Sequence, residues 1–531
     1  MTTLPDFILA QINPVVGDLG YNFKKIAEVW AKHDTDDTVI IFPELVTSGY
    51  PPEDLVLKPF FMDRVEAHIN ELLQTEKDRK SWIILPTPYR ANGKLYNAAL
   101  VIGDGDVKDT ILKHRLANGD VFDEPRIFTQ GPLPFPVPYK DCKLGIMICE
   151  DMWWPEPAKH LAGKGADILI VPNGSPFEAG KQNVRYDLAR NRIEETGLPL
   201  IYVNQVGGQD ELVFDGASFV MDKNKNVTHQ LAFFEEALTS TRETLKEDNA
   251  ASPDSILYRA CVLGLRDYVV KNNFPGVLIG LSGGIDSALT AAMAVDALGA
   301  DKVRCVMMPS RFTSQESLED AENCAKALGV SYESISIEPA IEAFTNMIPY
   351  LSGVAHENIQ SRARGITLMA LSNSTGAMVV STGNKSEMAV GYATLYGDMC
   401  GGFNPLKDLY KMQVYALSRW RNTQSPVIPE RIITKAPSAE LRANQTDQDS
   451  LPPYEALDDI LEGLIEHDLG LEEIAARGHD IETVKRIWTM LDRAEYKRRQ
   501  APPGVKVTRK AFGKDRRYPI TNGFTGNIKK A

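Results

Sequence analysis

The stretch VLIGLSGGIDSALTAAMAV, Val277 to Val295, decides the reading of the second half of the chain. Val277 to Ile279 form a short apolar run with β preference. Gly280, Gly283 and Gly284 follow within five positions, and from Asp286 the sequence turns to Ala, Leu and Met at helical density. The order is strand, glycine turn, helix. A glycine turn that feeds a helix points backbone N–H groups outward with the positive end of the helix dipole behind them, which makes a cradle for phosphate or pyrophosphate. The sequence here is neither GxxxxGK[ST] nor GxGxxG but SGGIDS. Ser282, Gly283, Gly284 and Ser287 suit a pyrophosphate, whereas Asp286, an acceptor among donors, suits Mg²⁺.

Working outward, the chain has 531 residues, enough for two to four domains, and its 43% hydrophobic content supplies sizeable cores. With 58 basic against 71 acidic side chains, the formal charge of −13 leaves no footprint for nucleic acid. No apolar run approaches the roughly 20 residues of a membrane span, and MTTLPDFILAQINP has no basic segment ahead of its apolar residues. A cytoplasmic protein with no membrane partner is expected. The six cysteines are scattered without CxxC spacing and the eight histidines without HExxH, so reduced thiols and no transition metal are expected.

From Phe7, apolar runs alternate with helical stretches: FILAQI, TVIIFPEL, SWIILPTPY, NAALVIG, KLGIMICED, ADILIVPNGSP, LPLIYVNQV and GASFVMD. Many short strands in about 230 residues predict an α/β layered fold over residues 1–240. The passage GPLPFPVPYKD, 131–141, reads as a turn-rich interruption. The polar segment 233–255 reads as a linker, with 241–255 as its body. Beyond it, over 256–531, the βα repeats VRCVMMPS, LEDAENCAKAL, SYESISI and AMVVSTG predict a doubly wound parallel sheet. Its ligand belongs at the carboxyl ends of the strands. The stretch 440–454, polar and aperiodic, reads as a lid over that ligand. Met307, Met308 and Met369 read as core.

Three residues of the first half stand where chemistry is placed: Glu44 after VIIFP, Lys113 after DTIL, and Cys149 at the end of LGIMI. A carboxylate can take the thiol proton, an ammonium can lower the thiol pKa, and the ammonium with a backbone N–H can stabilise an oxyanion. The outcome is amide hydrolysis through a thioester. Singly, each has an ordinary structural explanation.

Together, in the contexts FPEL, KHRL with VFDE behind it, and CEDMWWP, these residues resemble the nitrilase family of amidases across roughly residues 5–240. The resemblance implies a nitrilase-like α/β sandwich with Glu44 as base, Lys113 as charge partner and Cys149 as nucleophile. NGSPFEAGKQNVR, 173–185, is similar to the glutamine-binding segment of the glutaminase branch, which points to Ser175 and Lys181. That branch commonly has LPNYGVFDE where this chain reads LANGDVFDE, so Gly119 stands where a tyrosine lines the glutamine pocket.

The SGGIDS loop resembles the ATP pyrophosphatase superfamily. STGNKSEMAVGYATLYGD, ENIQSRARG and APSAEL are in turn similar to the NAD synthetases, which convert deamido-NAD to NAD. With the amidase half, the resemblance to the glutamine-dependent branch of that family spans nearly the whole chain. It implies that Gly280, Leu281, Ser282, Gly283, Gly284, Ile285, Asp286, Ser287 and Thr382 bind ATP, and that Asp286 and Glu387 hold Mg²⁺. It also implies that Asn358, Arg362, Glu387 and Lys510 face deamido-NAD. A homo-oligomer acting on glutamine, ATP and deamido-NAD is expected. Two other readings stay open at this point: a tRNA-modifying enzyme with the same loop, and an assembly protein with an inactive amidase half.

Overall fold

Strands covered on both faces carry unbroken apolar runs instead of alternating ones, and this is the origin of VIIF, WIIL and LIYV. The computed structural model describes residues 4–243, 252–442 and 445–524. The chain divides into two units, Met1–Ala251 and Ser252–Ala531.

The first unit holds two six-stranded sheets. One runs in the order Ala237–Ser240, Asp6–Gln11, Thr38–Ile41, Trp82–Ala91, Lys94–Gly103 and Asp106–Leu112. The other runs Val227–Gln230, Phe219–Met221, Leu200–Asn204, Ile168–Asn173, Cys142–Ile146 and Val137–Tyr139. Three neighbouring strands in each are parallel. Phe7, Leu9, Val39 and Ile41 of one sheet meet Leu144, Ile146, Ile170 and Val203 of the other in a shared core. The intervening Ile8, Ala10, Ile40 and Ile83 pack under helices Leu19–Lys32 and Pro59–Thr75. Leu169, Val171, Leu200 and Tyr202 pack under helices Pro155–Gly163 and Lys181–Thr196. Each such aliphatic is worth about 2 kcal/mol relative to exposure, so both faces specify the register and a helix–sheet–sheet–helix sandwich results.

Two edge strands depart from the sequence reading. Val137–Tyr139, inside the expected turn-rich passage, pairs antiparallel with Cys142–Ile146. Its Pro138 is tolerated because an edge strand has an unpaired side. Ala237–Ser240, inside the polar segment 233–255, pairs antiparallel with Asp6–Gln11. Of the expected linker, residues 244–251 lie outside the described residues. A helix, Pro253–Lys271, starts before that linker was expected to end, capped by Ser252, whose hydroxyl accepts from Ser255 N.

The second unit is built on four parallel strands in the order Ser331–Ser334, Val303–Met307, Val277–Gly280 and Met378–Val380. Two strands are added on one side of Val277–Gly280 and one on the other, which is the doubly wound arrangement. The loops after Val277–Gly280 and Met378–Val380 therefore open together at the switch point. Helix Ile285–Leu298 covers one face. On the other, Leu278, Val306 and Val379 pack against Ile341, Ala363 and Leu368 of helices Glu338–Met347 and Val354–Thr375. A helical cluster of Leu457, Ile460, Leu461, Val484, Ile487 and Leu491 follows. The basic tail is not loose where it is described: Asp408 accepts from Val507 N and Thr508 N at 2.8 and 2.7 Å. Buried Lys385 reaches Asp408, Glu466 and Thr508 Oγ1 at 2.7, 2.6 and 2.7 Å. Among the described residues no helix is long and apolar enough to cross a membrane.

Candidate active site

The first site is a set of charges taken out of water. Lys113 is fully buried, with Nζ 2.7 Å from Glu44 Oε1 and 2.8 Å from Glu124 Oε2. A buried ammonium needs such partners, and two carboxylates around one ammonium leave a net negative set. Asn97 Nδ2 donates to Glu44 Oε1 at 2.8 Å, Gly174 N to Glu44 Oε2 at 2.9 Å, and Ala117 N to Glu124 Oε2 at 2.8 Å. Glu124 belongs to the VFDE segment, yet sequence reasoning did not assign it a role. Nothing in a sequence says that it shares the Lys113 ammonium.

Cys149 begins a 3₁₀ turn, Cys149–Trp153, directly after the strand Cys142–Ile146 and two further buried residues. Its φ of 45° is left-handed, a strained setting for a side chain with a Cβ, and Leu45 beside Glu44 has φ 50°. Asp151 fixes the turn: it accepts from Ile148 N at 2.9 Å and from Arg115 N at 2.6 Å, tying the cysteine turn to the segment that follows Lys113. The thiol departs from expectation. Burial pushes it well above its ordinary value, Glu44 pushes the same way, and the pull of Lys113 does not offset them. Lys113 is already neutralised by its two carboxylates, so the resting group is a thiol and a base is required to ionise it.

Ser175 lies in the loop after strand Ile168–Asn173 and is held by Asn204 and by fully buried Arg185, which pairs with Asp215 at 2.7 Å. Lys181 is the first residue of helix Lys181–Thr196 and half-buried. Gly119 is exposed in the hairpin Asn118–Asp123, and a Cβ there would meet nothing within 4 Å. Beside the buried charges lies Tyr50, whose hydroxyl donates to Glu124 Oε1 at 3.5 Å and whose ring centre is 6.1 Å from that of Phe122 and 6.0 Å from that of Phe214.

In the second unit the glycine loop lines a cleft of about 290 Å³ with Gly280 to Ser287, Thr382, Glu387, Asp398 and Lys411. Ser287 Oγ donates to Gly284 O at 3.0 Å and accepts from Ser282 N at 3.2 Å, so the loop organises itself. At Gly283, φ is 81° and a Cβ would stand 2.4 Å from Ser317 O, so only glycine fits. Asp286 opens the helix within its first turn, and Asn384 Nδ2 donates to its Oδ1 at 2.8 Å. Lys411 Nζ lies 2.5 Å from Asp286 Oδ2 and 3.3 Å from Glu387 Oε1. Burial pushes Glu387 up to about 8, against the pull of Lys411. Lys411 was missed, although a lysine in the first turn of a helix, against the dipole, is itself a signal.

Of the residues expected to face deamido-NAD, only Glu387 lines this cleft. Arg362 Nε donates to Leu395 O at 3.2 Å, Asn358 Oδ1 accepts from Thr394 Oγ1 at 3.1 Å, and Lys510 pairs with Asp468. The arginine on the cleft is Arg364, whose Nε donates to Met308 O at 3.0 Å. Met307 and Met308 are buried as expected, but Met369 is 39% exposed. In the stretch 440–454, residues 443 and 444 lie outside the described residues. Glu440 accepts from Ser314 Oγ and Ser317 Oγ, both at 2.8 Å.

The fold and the two sites define an amidase unit joined to a unit of the ATP pyrophosphatase type. A carbon-nitrogen hydrolase family model matches residues 9–246 and an NAD synthase family model residues 257–501. The chain is 48% identical to the glutamine-dependent NAD(+) synthetase of Rhodobacter capsulatus, covering 97% of this chain and 98% of that protein. It is 43% identical to that of Aquifex aeolicus, covering 97% and 99%. The solved glutamine-dependent NAD+ synthetase of Acinetobacter baumannii, in complex with ADP, superposes with a TM-score of 0.78 at 41% identity, over 98% of this chain and 99% of that one. The chain belongs to the family of glutamine-dependent NAD(+) synthetases.

Proposed function

We propose that the chain makes NAD from deamido-NAD, taking nitrogen from glutamine and energy from ATP. The observation that carries this reading is that one chain holds both a buried thiol with Glu44 and Lys113, and a glycine loop opening on a cleft with two carboxylates and a lysine. Cys149 attacks the side-chain amide of glutamine and Glu44 takes the thiol proton, later giving it to the departing ammonia. Lys113 and a backbone N–H after Cys149 meet the oxyanion. Water then cleaves the thioester to glutamate. Ser175 and Lys181 are assigned to glutamine, with Gly119 leaving one side of its pocket open. Glu124 holds the Lys113 ammonium in place.

In the second unit Gly280 to Ser287 and Thr382 take ATP. The carboxylate of deamido-NAD attacks the α-phosphorus and pyrophosphate leaves; ammonia then attacks the acyl adenylate and AMP leaves. Asp286 and Glu387 fit Mg²⁺. Two carboxylates suffice for this ion when substrate phosphates complete its shell, and buried Lys411 already stands between them as a cation. Bound there, Mg²⁺ would neutralise phosphate charge. Among the described residues no group of three or more His, Cys, Asp or Glu is placed to hold a metal by itself. Asn358, Arg362 and Lys510 are assigned to deamido-NAD by family resemblance.

A homo-oligomer is part of this proposal. On helix Val354–Thr375 the apolar side chains Val354 and Ile366 are 69% and 60% exposed, and exposed apolar surface supports burial against a second copy. Light scattering should give more than one chain per particle; a monomer at micromolar concentration refutes this part.

The test of function is incubation with deamido-NAD, ATP, Mg²⁺ and either glutamine or ammonium. NAD, AMP and pyrophosphate should appear in equal amounts. Absence of NAD with both nitrogen sources refutes the proposal.

A further inference from the structure

Among the described residues, Arg185 is the largest fully buried charged side chain, and the reaction above leaves it without a task. It sits in the polar helical stretch KQNVRYDLAR, yet its side chain is 1% exposed. Burying a guanidinium is costly and is not by itself a source of stability. Its bonds converge on one short loop. Nη1 meets Asp215 Oδ2 at 2.7 Å, while Nη2 donates to Ser175 O at 2.9 Å, Ser175 Oγ at 3.1 Å and Pro176 O at 3.2 Å. Asn204 completes the clamp: its Oδ1 accepts from Ser175 N at 2.9 Å, and its Nδ2 donates to Ser175 O at 3.0 Å and to Asp215 Oδ1 at 3.3 Å.

The loop so held touches the base directly. Glu44 N and Gln205 N both donate to Asn173 O at 3.3 Å, and Gly174 N donates to Glu44 Oε2 at 2.9 Å. A Cβ on Gly174 would stand 2.8 Å from the Tyr50 ring and 3.2 Å from Glu44 Oε2, so the amide approaches the carboxylate as only a glycine can. The two oxygens of Glu44 differ. Oε1 takes Lys113 and Asn97, at 2.7 and 2.8 Å, whereas Oε2 takes the Gly174 amide. Oε2 thus has the free lone pair for a proton.

We propose that Arg185, clamped by Asp215, is a positioning residue for the base: it fixes the 173–176 backbone so that the Gly174 N–H holds the Glu44 carboxylate with Oε2 ready for the Cys149 proton. The inference rests on the assignment of Glu44 as base and Cys149 as nucleophile. Arg185 itself touches neither substrate nor thiol in this scheme, and its effect is one of geometry, where a displacement of about 1 Å costs about a hundredfold in rate.

The test uses the full chain and the variants Arg185→Met, Arg185→Lys and Asn204→Ser, the last loosening the same loop without stranding a charge. Glutaminase kcat and KM are measured, together with the rate at which a glutamine-mimicking chloroketone labels Cys149. Circular dichroism melting reports folding. The expected result for Arg185→Met is a fall in kcat of about 10- to 100-fold that exceeds any rise in KM from the loosened Ser175, and labelling at saturating reagent slowed by the same factor as kcat. Arg185→Lys should regain part of the loss, and Asn204→Ser should show the same pattern more weakly. Combined with Glu44→Gln, Arg185→Met should add no further slowing of labelling, because both act on one proton transfer. A raised KM at parental kcat, or a full additional penalty on top of Glu44→Gln, overturns the proposal. If Arg185→Met does not fold, Asn204→Ser in the Glu44→Gln background decides by the same criterion. Should Glu44→Gln or Cys149→Ala keep parental glutaminase activity, the site assignment itself has failed, which is a different result.

Discussion

Lys411 Nζ lies between Asp286 Oδ2 and Glu387 Oε1, 2.5 and 3.3 Å away, so the two carboxylates assigned to Mg²⁺ are bridged by a side chain 125 residues from one of them. Like charges in a cleft repel unless something stands between them. This lysine does so in the protein alone.

Asp286→Asn should abolish NAD formation with glutamine and with ammonium alike, since both nitrogen sources depend on the same adenylation. Loss of metal charge stabilisation is worth several kcal/mol, about a thousandfold in rate. Glutamine hydrolysis should persist. The measurement is AMP release with each source, and parental AMP release would show that the loop has been misread.

Cys149→Ala separates the units. Glutamine-dependent synthesis should fall by several orders of magnitude, as covalent catalysis is lost. Ammonium-dependent synthesis at mildly alkaline pH, where free NH₃ is abundant, should continue. Truncating one small side chain costs about 1 kcal/mol of stability, too little to unfold the chain. If glutamine still supports synthesis, Cys149 is only a core thiol.

The thiol should behave as a poorly ionised one until substrate arrives. Burial and Glu44 hold it well above its ordinary value of about 8.5, and only the thiolate reacts. Alkylation of Cys149 by iodoacetamide without glutamine should therefore climb about tenfold per pH unit from 7 to 9, with no plateau in that range. Glu124→Gln, which removes one of the negative charges acting on the thiol, should speed labelling at every pH. Peptide mass spectrometry reads the site, and a plateau below pH 8.5 would contradict the assignment.

Lys385→Met should destabilise the second unit by about 3–5 kcal/mol, because it strands the buried carboxylates of Asp408 and Glu466. That corresponds to a melting shift of about 10 °C. Burial pushes Asp408 up, but Lys385 and the Thr508 and Val507 amides more than offset it and hold it below its ordinary value. Its contribution is complete above the ordinary aspartate pKa of about 4 and is lost as pH falls through the lower folded value. The difference in stability between parent and variant should narrow on acidification.

Strands whose two faces are buried announce themselves as apolar runs, and all the sheet-forming runs quoted from the first half sit in one of its two sheets. Edge strands do not: Val137–Tyr139 is masked by prolines and Ala237–Ser240 by polar neighbours, because an edge is not required to be apolar on both sides. The glycine loop was legible since a contiguous segment does its work. Glu124, Lys411 and Arg185 were not, because each matters through a partner distant in the chain, and before folding each is an ordinary solvated charge. Gly119 and Arg362 show the converse, since family position singled them out while the structure leaves one exposed and the other bonded to Leu395 O.

The backbone at Cys149, φ 45°, has a consequence for how far this fold can be hardened. A left-handed residue with a Cβ costs about 1–2 kcal/mol, and glycine is free of that cost. Cys149→Gly, inert toward glutamine, should therefore melt above Cys149→Ala and close to the parent or higher. Under the proposed assignment, selection for heat resistance alone would favour glycine here and discard the attacking sulfur, so the sharp turn that presents it sets chemistry against durability.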